Sequence, residues 1–208
     1  MDGVIFKHHN FWMELHKEYG TLDEGVELTK KYVKTDYSRL VKEVIGRLWA
    51  GKSAQIYLNL INQHHYVKGT EKTFAEIRER KDKTMIISSG PYDLALRAQR
   101  DLCINYVFAN RLPIQDGIIA GTDDMEYWKI RNDNKVEPLE EVREKLGLKG
   151  ESIIAVVHDK NDIKLARHVK EIGGKVIGFM FEPHEEVEKE CTTIVRSDDL
   201  SDILKFTY

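Results

Sequence analysis

The sequence predicts an α/β protein built on a doubly wound parallel sheet, with a small helical cap inserted after its first few residues. Two features predict this fold. Apolar residues recur at helical spacing from Phe11 to about His65. Further along the chain, short β-branched runs alternate with helical stretches, which is typical of a parallel sheet with helices on both faces. We therefore expect a core formed by residues 1–10 and 67–208 and a cap formed by residues 11–66.

The cap is expected to be a small helical bundle. Its clearest helix follows Thr35 and Asp36, two residues that favour helix starts, and ends at Gly51. One face of this helix carries an apolar stripe, made of Leu40, Val41, Val44, Ile45, Leu48 and Trp49. Segments 22–33 and 53–63 repeat the same spacing, so they are predicted to be helices of the same bundle.

The core is expected to hold several strands separated by helices. The predicted strands are residues 83–88, 104–108, 152–157, 175–179 and 192–195, and the predicted helices are residues 92–101, 137–146, 161–171 and 198–206. Asp116-Gly117, between Leu112 and Ile119, predicts a hairpin turn that projects from the sheet. Ligands of such folds bind beyond the carboxyl ends of the strands, so the functional residues are expected there.

The composition indicates a cytoplasmic enzyme or binding protein. The net charge is -3, so no basic excess favours nucleic acid or an anionic membrane as a partner. The sequence contains no apolar run of about 18 residues and does not begin like a secretory signal. Cys103 and Cys191 are far apart, which predicts two buried thiols rather than a disulfide or a zinc site. The oligomeric state cannot be read from these features.

Polar residues follow the predicted strands in a definite order. Asp2-Gly3-Val4 stands at the start, Ser89-Gly90 follows the strand at 83–88, Lys135 precedes a helix, and Asn161-Asp162 follows the strand at 152–157. Taken singly, each has an ordinary structural interpretation as a turn, a helix cap or a surface lysine. Their order along the chain is what points to a common function.

In that order, the four motifs resemble the signature of the haloacid dehalogenase superfamily. Segments 106–112, 135–148, 161–163 and 198–206 are similar to its phosphoserine phosphatase branch, and the helical segment corresponds to the cap of that branch. The resemblance implies a magnesium-dependent phosphatase that acts on a small phosphorylated metabolite. A non-catalytic protein that keeps the fold for phosphate binding or for interaction is the alternative.

The resemblance also implies roles for individual residues. The family uses two aspartates separated by one residue: the first forms an aspartyl-phosphate, and the second acts as acid and base. Asp2 matches the second, and the first would lie one position before Met1. Ser89 matches the hydroxyl that binds the phosphoryl group, with the Gly90 amide beside it, and Lys135 matches the lysine that neutralises its charge.

The metal and substrate residues follow from the same comparison. Asp162 matches a carboxylate of the magnesium site, and Asn161 belongs to the same loop and is a substrate-binding candidate. Arg47, or alternatively Arg39, is placed in the cap to hold a substrate carboxylate. His158 stands where the family has its leading metal-binding aspartate. Either Asp159 replaces that ligand, or a softer divalent metal is used, or metal binding is weak.

Two further departures concern the substrate and the nucleophile. His9 stands where the phosphoserine enzymes carry a glutamate for the substrate amino group, which favours another small phosphomonoester. We read the doublets His8-His9 and His64-His65 as ordinary histidines, because adjacent side chains point in different directions. The chain as given is expected to be inactive, since it lacks the first aspartate. Codons upstream of Met1 are expected to supply it, unless this is a genuine short form.

Overall fold

The regular elements that the structure describes in the first 79 residues are all helices, and all of these helices except the last fall in the segment with helical periodicity. The computed structural model describes residues 1–7, 10–122, 124–179 and 185–208. The helices are α1 (Phe11–Glu18), α2 (Leu22–Tyr32), α3 (Tyr37–Val41), a π-helix (Lys42–Trp49), α4 (Ala54–Gln63) and α5 (Thr70–Glu79). Three of them begin at a side chain that accepts a backbone N–H, because helix starts leave such donors unpaired. These side chains are Asn10, Asp36 and Ser53.

From Met85 onward, the chain alternates strands and helices. It contains β1 (Met85–Pro91), α6 (Tyr92–Leu102), β2 (Tyr106–Asn110), β3 (Ile114–Gln115), β4 (Ile118–Ile119), α7 (Val136–Lys145), β5 (Ile154–Val157), α8 (Ile163–Glu171), β6 (Lys175–Phe179), α9 (Glu185–Glu188) and β7 (Thr193–Val195). Short 3-10 turns lie at Met125–Tyr127, Gly150–Ser152, Lys160–Asp162 and Leu200–Phe206. The α/β fold with parallel strands is therefore confirmed.

The parallel strands form two groups rather than one continuous sheet. β1 pairs with β2, and β5, β6 and β7 pair in that order. In the described ranges, β1 and β5 each have a strand partner on one edge only. Side chains join the two groups, since Met85 and Ile87 of β1 pack against the apolar cluster that contains Val157 of β5. The carboxyl ends of β1 and β5 therefore come to the same region without backbone pairing between them.

Several local predictions can be compared with the structure. The hairpin is confirmed: β3 and β4 pair in antiparallel fashion, and Asp116 and Gly117 both have positive φ, at 51° and 78°. Positive φ at both central residues suits the right-handed twist of the flanking strands. The tail at 200–206 is a 3-10 helix, and α5 was not predicted. The division into core and cap remains a prediction.

One prediction about the cysteines is wrong. Both thiols are free, but Cys103 is exposed, because it ends α6 in a left-handed conformation at the protein surface. Cys191 is partly buried. Among the helices that the structure describes, none is both long enough and apolar enough to cross a membrane.

His16 is a buried histidine in α1. Its Nδ1 lies 2.8 Å from the Thr21 hydroxyl, and its ring packs against Gly25, where an added Cβ would lie 2.4 Å from the imidazole. The Trp49 ring is 4.6 Å away, centroid to centroid. Burial lowers the pKa of His16 to about 4, because the charged imidazolium would lose its hydration there.

The buried state of His16 predicts a loss of stability in mild acid. The unfolded chain binds a proton near the ordinary histidine pKa of about 6.5, whereas the folded chain does so near 4, so stability falls with pH between these values. We expect the cost at pH 4 to be on the order of 2 kcal/mol relative to pH 7. Urea unfolding of the unsubstituted chain and of His16→Gln across this range measures it. The two curves should run parallel above pH 7, and equal slopes below it would contradict the prediction.

Candidate active site

A buried ion pair lies at the centre of the predicted site. Lys135, just before α7, is 5% exposed, and its Nζ donates to Asp162 Oδ1 at 2.7 Å. Asp162 ends the 3-10 turn that follows β5. Its other oxygen accepts the backbone N–H groups of His158 and Asp159, at 3.2 Å and 3.4 Å. The carboxylate thus binds the lysine and also holds the loop after β5.

The charge of Asp162 is maintained by its surroundings. Burial by itself would raise the pKa of this carboxyl, because the ionised form would lose water. The positive charges of Lys135 and of the Met1 amino group, together with the hydrogen bonds from Lys135 and the His158 N–H, more than reverse that effect. The net result is a lowered pKa for Asp162, which therefore remains a carboxylate.

Asp2 lies in the same region although it is 160 residues away in sequence from Asp162. The start of the chain is held against residues 65–67, where the Val67 N–H donates to the Ile5 carbonyl at 2.9 Å. Asp2 Oδ2 accepts the N–H of Phe11 at 3.5 Å, and an added Cβ on Gly90 would lie 3.4 Å from Asp2 Oδ1. Asp2 therefore sits between the end of β1 and the start of α1.

Ser88 and Ser89 both lie near the carboxyl end of β1. The Gly90 amide does not have the free position that we predicted for it. The Gly90 N–H, expected to face an anion, donates to Ser88 Oγ at 3.0 Å, because that neighbouring hydroxyl turns back along the loop. The carbonyl of Ser89 accepts from Trp12 Nε1 at 2.8 Å and from Asn110 Nδ2 at 3.0 Å. The Ser89-Gly90 turn is thus fixed through its backbone by residues from α1 and β2.

The structure brings Asp2, Gly90, Lys135 and Asp162 around one point. The Met1 amino group marks that point: burial lowers its pKa, while Asp2 and Asp162 act to raise the pKa and Lys135 to lower it. The Met1 side chain also lies against Gly90, where an added Cβ would be 2.7 Å from Met1 Cε. The roles assigned to these residues nevertheless remain predictions.

Other predicted residues are engaged elsewhere. Arg47 is half exposed on the π-helix and binds Glu43 and Glu24, at 2.7 Å and 2.6 Å. Asn161 donates to Asp159 at 3.3 Å, within the 3-10 turn. Arg39 stacks on Tyr32, with the guanidinium carbon 5.1 Å from the ring centroid. His8 and His9 lie outside the described residues.

His158 has a defined orientation. Its Nδ1 lies 2.9 Å from the Phe179 carbonyl, and since a carbonyl can only accept, this nitrogen carries the proton. The ring covers Gly3, which has a φ of 70°, and an added Cβ there would lie 2.3 Å from His158 Cδ2. Any side chain at position 3 would be excluded both by the left-handed backbone and by the imidazole.

These residues do not fit the magnesium site that the resemblance implies. Magnesium requires hard oxygen ligands in nearly octahedral geometry, but an imidazole stands at the leading position. The oxygens of Asp162 already bind Lys135 and two backbone amides. Within the described ranges, no group of three or more His, Cys, Asp or Glu side chains is arranged to hold a metal ion.

Asn110 and Trp12 were not singled out from the sequence. Asn110 is fully buried, donates to the carbonyls of Ser89 and Ile130, and accepts the Ile130 N–H at 2.9 Å. It therefore joins the end of β1 to the loop before α7. A polar residue directly after the apolar run YVFA was the available signal, whereas nothing in the local pattern around Trp12 indicated its contact with Ser89.

The Lys135–Asp162 pair predicts a strong effect of Asp162→Asn. Removing one partner leaves a buried uncompensated charge, so we expect a destabilisation of about 3–5 kcal/mol at pH 7. Because the folded-state pKa of Asp162 is lowered, this contribution is present above the ordinary aspartate pKa of about 3.9 and is lost as pH falls further. Chemical unfolding at pH 7 and at pH 3 measures both effects.

Glu27→Gln is the matched control for this substitution. It breaks a 2.9 Å ion pair with Lys30 whose side chains are 73% and 68% exposed, so its effect should stay below about 1 kcal/mol. Equal effects of Asp162→Asn and Glu27→Gln would contradict the central place given to the buried pair.

Proteins with similar sequences are named phosphoserine phosphatase. A phosphoserine phosphatase of Methanocaldococcus jannaschii is 26% identical over 196 residues, which is 93% of this chain and 88% of that protein. A phosphoserine phosphatase of Streptococcus thermophilus is 26% identical over 155 residues, 74% of this chain and 71% of that protein. No protein-family model matches the chain.

Solved structures agree with the fold. A substrate-bound phosphoserine phosphatase has a TM-score of 0.80 and 22% identity, covering 100% of this chain and 95% of that one. A haloacid dehalogenase family hydrolase from Salmonella enterica serovar Typhi has a TM-score of 0.78 and 18% identity, covering 98% and 68%. At these identities the structures support the fold. The chain is thus similar in sequence to proteins named phosphoserine phosphatase, and it shares its fold with a phosphoserine phosphatase and with a hydrolase of the haloacid dehalogenase family.

Proposed function

We propose that this protein is a phosphatase that hydrolyses a small phosphomonoester at the Asp2–Lys135–Asp162 centre. The main support is the convergence of these three residues with the end of β1, at the edge of the sheet where the fold places ligands. Relatives named phosphoserine phosphatase support the same reaction class. In this proposal, Asp2 is the acid and base, and Ser89 and Lys135 hold the phosphoryl group.

The chemistry assigned to Lys135 depends on its burial. A cation from which water is largely removed interacts more strongly with a phosphoryl oxygen than an exposed one does. Asp162 compensates its charge at 2.7 Å before substrate binds, which keeps the ammonium in place. A phosphate dianion that approaches Lys135 would then meet a fixed positive charge, without any reorganisation of a flexible side chain.

Covalent hydrolysis also requires a carboxylate in line with the phosphoryl group. We propose that this carboxylate belongs to a strand that precedes Asp2 and pairs with β1 and β5. The proposal is supported by the split sheet, in which the described residues leave one edge of β1 and one edge of β5 without a strand partner. Unpaired backbone groups in the middle of a sheet are costly, so a strand in this position would also stabilise the fold.

An extended chain tests the nucleophile. Restoring the natural upstream codons should add a β-branched strand ending in aspartate, raise the melting temperature and raise hydrolysis of p-nitrophenyl phosphate by several orders of magnitude. The matched control is the same extended chain with asparagine two positions before Asp2, which should keep the added stability and lose the activity. If the upstream codons encode no such strand, or if the extended chain stays inactive with magnesium, manganese and cobalt, the non-catalytic phosphate-binding alternative replaces the phosphatase.

Magnesium binding is proposed to be weak in this protein. His158 stands at the leading ligand position, and its Nδ1 proton is committed to the Phe179 carbonyl. We expect calorimetric titration to show no micromolar affinity for magnesium, and His158→Asp to tighten binding by supplying a hard oxygen ligand. His65→Asp adds the same charge on an exposed residue and should leave the affinity unchanged. Micromolar binding by the unsubstituted chain, or tightening by His65→Asp alone, would contradict this proposal.

A further inference from the structure

All three tryptophans of the chain meet in one cluster, although they come from distant parts of the sequence. Trp12 lies in α1, Trp49 ends the π-helix, and Trp128 follows the 3-10 turn at Met125–Tyr127. The Trp12 ring centroid is 4.7 Å from that of Trp128 and 5.8 Å from that of Trp49. The ring planes are inclined by 36° and 33°, so both pairs are tilted, neither stacked nor perpendicular.

The cluster lies directly against the proposed phosphoryl-binding turn. Trp12 Nε1 donates to the Ser89 carbonyl at 2.8 Å, and the neighbouring Phe11 N–H donates to Asp2 at 3.5 Å. A phosphomonoester bound at Ser89 and Asp2 would therefore lie close to Trp12. The cluster is part of the main hydrophobic core, and Trp12 connects it to the Ser89-Gly90 turn.

Two of the indoles have a donor without an acceptor. Trp49 and Trp128 are 0% and 7% exposed, and their Nε1–H groups have no hydrogen-bond partner in the described part of the chain. An unpaired buried donor costs about 1–3 kcal/mol, and buried tryptophans usually find a partner for this group. Phenylalanine would supply an aromatic ring without this unpaired donor. The two donors therefore indicate a ligand that brings acceptors.

The backbone around the cluster also differs from ordinary helix packing. Trp49 is the last residue of an eight-residue π-helix, and π-helical turns are rare and frequent at functional sites. A cleft of about 390 Å³ opens between Gly46-Arg47 of that helix and Gly121-Thr122 of the loop that leads to Trp128. Lys42 and Glu43 also line this cleft, which borders the segments that carry Trp49 and Trp128 but is lined by none of the three indole rings.

We propose that Trp12, Trp49 and Trp128 bind the leaving group of the phosphomonoester, and that this group is a planar, uncharged ring carrying hydrogen-bond acceptors. The inference rests on the proposed phosphatase function. Indole faces stack on planar rings, and a carbonyl or ring nitrogen of the ligand accepts from the free Nε1–H groups. The rings of Trp12 and Trp128 are in contact in this structure. The ring of the ligand would therefore move these two indoles apart and bind beside Trp12.

Charged leaving groups fit less well. An ammonium group, including a quaternary one, binds aromatic faces but cannot accept from an indole N–H. The other side chains in ring contact with the cluster are Phe11, His16 and Tyr19, and the lowered pKa of His16 keeps it neutral. Those contacts offer no carboxylate for an ammonium and no cation for a carboxylate. An amino acid leaving group, which carries both charges, is therefore the poorer ligand.

Intrinsic fluorescence tests the proposal directly, because all tryptophan emission of this protein comes from the cluster. The probes are 4-acetylphenyl phosphate, O-phosphoserine, phosphocholine and inorganic phosphate, each titrated by fluorescence and by calorimetry. We expect 4-acetylphenyl phosphate to change the emission and to bind at least tenfold more tightly than phosphoserine or phosphocholine. Trp49→Phe and Trp128→Phe keep an aromatic ring and lose one donor. Each should weaken 4-acetylphenyl phosphate by about tenfold and leave inorganic phosphate unchanged.

Tyr127→Phe is the control, since Tyr127 adjoins Trp128 in sequence and is 39% exposed. It should alter none of these affinities. If inorganic phosphate fails to bind, the proposed function itself fails. If phosphate binds but 4-acetylphenyl phosphate has no advantage over phosphoserine, the leaving-group inference is wrong and the function stands. Tightest binding of phosphocholine would also overturn it, in favour of a cation cage. The ligand series on the unsubstituted chain decides the matter even if both tryptophan variants fail to fold.

Discussion

A buried ion pair is costly to break, because removing one partner leaves the other charge uncompensated, and Lys135 and Asp162 form such a pair at 2.7 Å. The same carboxylate binds the backbone N–H groups of His158 and Asp159, so the pair also determines how the loop after β5 is folded. Lys135 starts α7 and Asp162 precedes α8. One ion pair thus connects two helices and a strand end, and the geometry of the site depends on it.

The loop held by Asp162 presents an imidazole at the position where the resemblance implies a metal-binding carboxylate. His158 is oriented by the Phe179 carbonyl on one side and packs on Gly3 on the other. Gly3 immediately follows Asp2, so the histidine also supports the turn that carries the proposed acid and base. The imidazole, which is a poor ligand for magnesium, is therefore also part of the packing that positions Asp2. Because one side chain has both effects, only a substitution of His158 can distinguish its effect on metal binding from its effect on packing.

Helix α1 contacts the carboxyl end of β1. Trp12 and Asn110 both donate to the Ser89 carbonyl, and they approach it from α1 and β2. Asn110 also binds Ile130 and so fixes the loop that leads from Trp128 to Lys135. A short network of buried hydrogen bonds therefore couples the aromatic cluster, through Trp12, to the turn that is proposed to bind the phosphoryl group. Such networks are rigid when every member is paired, and the indole donors of Trp49 and Trp128 lie outside it.

The sequence by itself determined the alternation of strands and helices, the hairpin at Asp116-Gly117 and the order of the four motifs. These features depend on local periodicity, turn chemistry and helix capping, which act over a few residues. Only the tertiary structure decided that Trp12 reaches Ser89, that His158 binds Phe179, and that Arg47 pairs with Glu24 and Glu43 rather than with the site. Some of those contacts join residues that are distant in sequence. In the others, the side chain has several possible partners nearby. They follow from how whole elements pack, and no local pattern encodes that packing.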